Sequence, residues 1–142
     1  MIIKDVIDRL ADYEYLKVPI ELPVSRLKDL VLKNRGIRSI YVEDNDGKVI
    51  GEVSLGRLIN AVTAKRRCSA RLSARSLLSC ITPRHVRDIM DAKVISARLD
   101  EDVEDVLMRF IRSNIKEMPV LDQERRIIKN IGVLDLWEVI EN

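Results

Sequence analysis

Apolar and polar positions alternate along this chain in two periods, and the order of the periods occurs twice. Val24, Leu27, Val31 and Leu32 fall on one helical face, as do Val103, Val106, Phe110 and Ile111. Both sets predict amphipathic helices, over residues 24–34 and 101–113. Pro23 suits a first helical turn, and Asp100 suits the N-cap ahead of Val103. Short apolar runs predict strands at Tyr15–Ile20 and Val94–Ala97. Arg38–Glu43 and Lys48–Val53 flank Asp44-Asn45-Asp46-Gly47, which reads as a hairpin turn because Asn and Gly tolerate positive φ. Gln123-Glu124-Arg125 takes its place in the second half and is a weaker turn signal. Closing helices are expected from about Leu55 and Leu134. Met1–Leu10 reads as an amphipathic lead-in helix through Ile3, Val6, Ile7 and Leu10.

The repetition has a fixed offset of 78 residues. Gly36–Val42 aligns with Asn114–Val120 and Asp44 with Asp122. Val49-Ile50 then falls on Ile127-Ile128, Val53 on Ile131, and Leu58 on Leu136. A slip of one residue superimposes the two helical stripes. This organisation predicts a first repeat with its lead-in helix at 1–62, a basic connecting segment at 63–84 and a second repeat at 85–142. Each repeat reads β-α-β-β-α. Two copies are too few for a solenoid, since each would leave an apolar face uncovered, so face-to-face packing is expected.

Composition narrows the classes. Of 142 residues, 46% are hydrophobic and 34% charged, which suits a folded globular chain rather than a disordered one. No apolar run reaches the roughly 18 residues of a membrane span, and the charges at Lys4, Asp5, Asp8, Arg9, Asp12 and Glu14 break up any signal-peptide core. Cys68 and Cys80 lack CxxC spacing and read as free thiols in a reducing cytoplasm. The net charge of +2 hides an asymmetry: no acid lies between Glu52 and Asp88, where Arg57, Lys65, Arg66, Arg67, Arg71, Arg75, Arg84 and Arg87 accumulate. Arg67, Arg71 and Arg75 would share one face of a helix, as an anion-binding stripe or a solvated surface. The single histidine, His85, has no metal-ligand companions, and no Cys/His cluster, serine–histidine pair or phosphate-cradling glycine loop is present. Neither a metal site nor catalysis is expected.

These motifs, in this order, resemble the CBS domain and its tandem form, the Bateman module. The second copy carries VRDIM (86–90), VISARLDEDVEDVL (94–107), NIKEMPVLD (114–122) and GVLDL (132–136). The first carries GIRSIYVEDNDGKVIGEVSLGRL (36–58), with Tyr41 at a position where the family usually has proline. The resemblance implies an α/β (α+β) fold of two β-α-β-β-α units packed sheet to sheet about a pseudo-twofold axis. It also implies clefts that often take adenosine-containing ligands.

In such modules a hydroxyl and, three residues later, an aspartate mark the junction of the last strand and closing helix. The hydroxyl and first-turn N–H groups suit phosphate, while an ionised carboxylate can only accept, as a ribose diol requires. The same spacing also fits plain helix capping. Here each copy keeps one half: Ser54 with Arg57 in the first, Gly132 with Asp135 in the second. The expectation is two unequal clefts. Ribose is placed on Asp135, adenine near Ile95, Ser96, Ala97, Met118 and Pro119, and phosphates near Arg57 or the arginine stripe. Gly132 would allow close backbone approach.

The leading reading is a cytoplasmic regulatory module that senses AMP, ADP, ATP or S-adenosylmethionine and signals to an unidentified partner. It requires no cofactor and assembles as a homodimer through faces such as Leu58, Ile59 and Val62, and Leu136, Trp137 and Ile140. Two alternatives stay open. One is a ligand-free structural dimerisation unit. The other is a basic interaction module docking on nucleic acid or an acidic protein, although few aromatics lie near the arginines to stack bases.

Overall fold

A computed structural model describes residues 1–69 and 83–142. The first repeat runs β1 (Tyr15–Pro19), α2 (Val24–Lys33), β2 (Ser39–Glu43), β3 (Val49–Glu52) and α3 (Leu55–Ser69), preceded by the single turn α1 (Ile3–Val6) and a 3-10 turn at Ile7–Arg9. The second runs β4 (Ala97–Arg98), α4 (Val103–Ser113), β5 (Glu117–Leu121), β6 (Ile127–Gly132) and α5 (Val133–Glu141), preceded by a 3-10 turn at Val86–Asp88. Each repeat forms a three-stranded sheet in which the first two strands are parallel and the last two antiparallel. The repeated β-α-β-β-α order expected from the sequence is therefore present twice.

Local chemistry explains where the boundaries differ from the expected ones. α4 is capped by Asp102, whose carboxylate accepts from the Glu104 N–H at 2.9 Å. Asp100 instead pairs with Arg98 at 3.6 Å. Glu101 is drawn outward by the Arg98 N–H and the Arg109 guanidinium, so the helix starts after it. The expected strand at Val94–Ala97 shortens to Ala97–Arg98, because the Ser96 carbonyl accepts from Arg109 Nη1 at 2.6 Å rather than joining a ladder. Both hairpins form by one device. Asp44 Oδ1 accepts from Asp46 and Lys48, and Asp122 Oδ1 accepts from Glu124 and Arg126. Gly47, at φ 80°, has Arg125 as its counterpart at φ 63°. The two turns support one another: Val49 N–H donates to the Arg125 carbonyl, and Arg125 Nε donates to the Val49 carbonyl at 3.0 Å.

Two apolar cores result, and the lead-in segments cross between them. Ile3, Val6 and Leu10 are buried with Val103, Val106, Phe110, Met118, Ile131 and Leu136 of the second repeat. Val86 and Ile89 are buried with Val18, Val24, Leu27, Ile40 and Leu58 of the first. Backbone bonds fix both exchanges, from Ile3 and Lys4 to the Glu101 and Leu99 carbonyls, and from Val86 and Arg87 to the Leu22 and Ile20 carbonyls. Each large side chain fully buried contributes roughly 1.5–3 kcal/mol to this docking. A third cluster of Tyr41, Val49 and Leu121, flanked by Tyr15, Val94 and Ile127, joins the sheets. The Tyr15 and Tyr41 rings there lie 5.6 Å apart, tilted by 59°. Polar bonds cross the same seam. Ser39 donates to Glu117 and the Tyr41 hydroxyl to Asn130 Oδ1, both at 2.8 Å, while Asn130 donates to Glu117 within the second sheet at 2.9 Å.

Candidate functional site

The end of β3 and the start of α3 open onto a cleft between the repeats. It measures about 290 Å³ and is walled by Arg38–Tyr41, Glu52–Ser54, Arg57 and Asp91 on one side and Ile115–Glu117 on the other. β3 delivers Glu52 to it, and the strand's edge is held there by paired backbone bonds between Glu52 and Asp91 at 3.0 and 2.8 Å. Gly51 makes this docking feasible, since a Cβ there would stand 2.7 Å from Met90 Sδ. Burial, and next the Asp91 carboxylate, raise Glu52 to about 7. Arg38, Lys116 and Arg57 supply positive charge to the same cleft.

Ser54 caps α3, its Oγ accepting the Arg57 N–H at 3.1 Å, so the capping role is realised here. Arg57 is exposed yet bends back over the junction. Its Nη1 donates to the carbonyls of Ile89 and Met90 at 3.2 and 3.4 Å, clasping the segment that enters the second repeat. Ser54 and Arg57 thus meet in one cleft.

Gly132 and Asp135 sit at the equivalent junction of β6 and α5. The ring of Tyr13 lies directly over Gly132. The neighbouring Asp135 carboxylate, followed by burial, holds the Tyr13 phenol above its ordinary pKa. Asp135 Oδ2 is buried without a hydrogen-bond partner. Ala97 and Met118 lie wholly within the second core, Pro119 is buried, and Ile95 packs half-buried against that core. Ser96 lines a different depression of about 670 Å³ with Arg98, Asp100 and Asp122–Arg125. Arg67 folds back onto its own helix, donating to the carbonyl and side chain of Asn60. Arg71 and Arg75 lie outside the described residues.

Sequence reasoning did not single out Tyr13, Glu52, Asp91, Arg38 or Lys116. One signal was available for the first and third: Tyr13 and Asp91 are separated by the repeat offset of 78 and so occupy matching positions. Chemically, the first cleft offers carboxylates that accept from hydroxyls and cations that accept anionic oxygens. Among the described residues, no group of three or more His, Cys, Asp or Glu could hold a metal ion, and no helix is long and apolar enough to cross a membrane.

Comparison with known proteins fits this geometry. A family model for the CBS domain matches residues 3–64 and 86–142. The magnesium transporter MgtE of Thermus thermophilus is 32% identical over 83 residues, a stretch that is 58% of this chain but 18% of the transporter. Among solved structures, the CBS domain pair of protein MJ0100, in complex with 5′-methylthioadenosine and S-adenosyl-L-methionine, superposes with a TM-score of 0.67 at 19% identity, over 99% of this chain and 96% of that one. CBSX2 in complex with AMP superposes with a TM-score of 0.70 at 15% identity, over 99% and 96%.

Proposed function

Since the chain belongs to the CBS domain family and carries two copies of the domain, we propose that it is a regulatory module that binds an adenosyl ligand between its repeats. The observation that carries this reading is the first cleft, open and walled by both repeats, with acceptors and cations on the same surface. A ribose diol donates to Glu52 or Asp91, and an anionic tail meets Arg38 and Lys116. The fold relatives bound to 5′-methylthioadenosine, S-adenosyl-L-methionine and AMP support the ligand class. Asp135 is the corresponding ribose acceptor of the second junction, where the Tyr13 ring lies over Gly132. A ligand touching both repeats biases their relative arrangement by its differential affinity for the alternatives, and a partner protein in the cytoplasm reads the result.

Thermal shift with AMP, ADP, ATP, S-adenosylmethionine and 5′-methylthioadenosine tests the reading. A ligand at about 100 times its Kd stabilises the native state by about 2.7 kcal/mol, a readily measured rise in Tm. No rise with any of the five at millimolar concentration would overturn it. Replacing Arg38 and Lys116 with alanine is expected to weaken AMP more than 5′-methylthioadenosine, which carries no phosphate.

The same reading takes the protein as a homodimer. Ile59 on α3, Met108 and Ile111 on α4, and Leu134 and Trp137 on α5 are exposed. Of the faces expected to pair, Leu58 and Leu136 are instead buried within the chain. The exposed set is the apolar surface that a second copy would cover.

A further inference from the structure

The two junctions differ in a correlated way. Immediately before the closing helix, the first repeat has Ser54 and the second has Gly132. At the position that faces this junction, the first has Asp91 and the second has Tyr13. In the second junction these residues exclude alternatives to each other. A Cβ on residue 132 would stand 2.5 Å from Tyr13 Cε2, 3.0 Å from Cζ and 3.1 Å from Oη. No residue with a side chain fits there while the ring stays in place. The ring therefore fills the space over Gly132 that corresponds to the Ser54 hydroxyl of the open cleft.

Tyr13 is held in that place by its backbone rather than by a core. Its N–H donates to the Asn130 carbonyl at 2.9 Å, its carbonyl accepts from Asn130 Nδ2 at 3.3 Å, and the neighbouring Asp12 carboxylate accepts the Asn130 N–H at 3.0 Å. The residue as a whole remains 37% exposed. A ring so exposed gains little from burial, yet it covers the one place where β6 hands over to α5. Beneath it, the unpartnered Asp135 Oδ2 is an acceptor with no donor.

We propose that Tyr13 is the residue that decides which cleft takes ligand: its ring closes the second cleft by occupying the space above Gly132. Resting on the function proposed above, this leaves one adenosyl ligand per chain, in the first cleft. The pair Tyr13 and Gly132 acts as a matched unit, and Asp91 with Ser54 is its open counterpart.

Calorimetric titration of the full chain with AMP and with S-adenosylmethionine tests this. The unaltered protein is expected to bind one equivalent per chain. Tyr13→Ala and Tyr13→Ser are expected to bind two, and the gained site should vanish when Asp135→Ala is added. Tyr13→Phe, which keeps the ring, should still bind one. Two equivalents in the unaltered protein, or one in both Tyr13→Ala and Tyr13→Ser, would overturn the proposal and leave the adenosyl reading standing. A site present only after Tyr13 is removed would uphold the proposal and overturn binding in the first cleft. No binding by any of the proteins overturns both. A ligand-free measurement checks the contact itself. Gly132→Ala should lower Tm in the unaltered background and leave it nearly unchanged beside Tyr13→Ala; equal losses in the two backgrounds would overturn the matched pair.

Discussion

Glu52 and Tyr41 show how single side chains set the chemistry of the seam. The Glu52 carboxyl, raised from an ordinary 4.5 to about 7 by burial, and secondarily by Asp91, keeps its proton to higher pH in the folded chain. The unfolded chain gives up that proton at lower pH. The stabilising contribution is therefore complete below about 4.5 and is lost as pH rises through about 7. Thermal scans should show Tm declining across this window, and Glu52→Gln should flatten the decline. Tyr41 stands at a position where proline is more usual, and its buried hydroxyl partners the fully buried Asn130. Burial also raises the Tyr41 pKa, so it stays a donor. Tyr41→Phe leaves Asn130 Oδ1 without that donor, at an expected cost of about 1–3 kcal/mol in urea unfolding. The Ser54 spacing carried two meanings in the sequence, cap and ligand group, and the first is present as a hydrogen bond. Tyr13 stood out in neither meaning, because a tyrosine among Asp12 and Glu14 looks like an ordinary surface residue until the fold lays it on Gly132.

Elements were legible where their signal is local. The stripes at Val24–Lys33 and Val103–Ser113 became helices close to their expected bounds, and the Asp44–Gly47 turn formed with Gly47, though not Asn45, at positive φ. The cap of α4 and the shortness of β4 were not legible, since both depend on Arg109 reaching back from within the helix to Glu101 and the Ser96 carbonyl. The docking of α1 was not legible either. Its Ile3, Val6 and Leu10 pattern shows that one face must be covered, without showing which repeat covers it. Ile3 is fully buried in the second core, so Ile3→Ala is expected to destabilise by about 2–5 kcal/mol in guanidinium unfolding. Ile111→Ala, at an exposed position of α4, should stay within about 0.5 kcal/mol in the monomer. Comparable losses at the two sites would contradict the packing described for α1.

Among the described residues, Ile59, Met108, Ile111, Leu134 and Trp137 expose apolar surface on helices, and this bears on assembly. Light scattering at micromolar concentration is expected to return twice the 16.3 kDa chain mass. Trp137→Glu together with Leu134→Glu should reduce it to the chain mass while leaving the far-ultraviolet circular dichroism unchanged. A single chain mass in the unaltered protein would count against the dimer.

The crossing of the lead-in segments has a consequence for how the molecule is held as one body. Neither half owns a finished interior: each borrows its last wall from a strip of chain that leads into the other. Residues 1–69 and 83–142, supplied as two separate polypeptides, should each remain incompletely folded alone and reconstitute the native spectrum on mixing, because the borrowed strips bind the halves as reciprocal latches. The covalent link would then add proximity to an association already specified by shape, and the two repeats would live or unfold together.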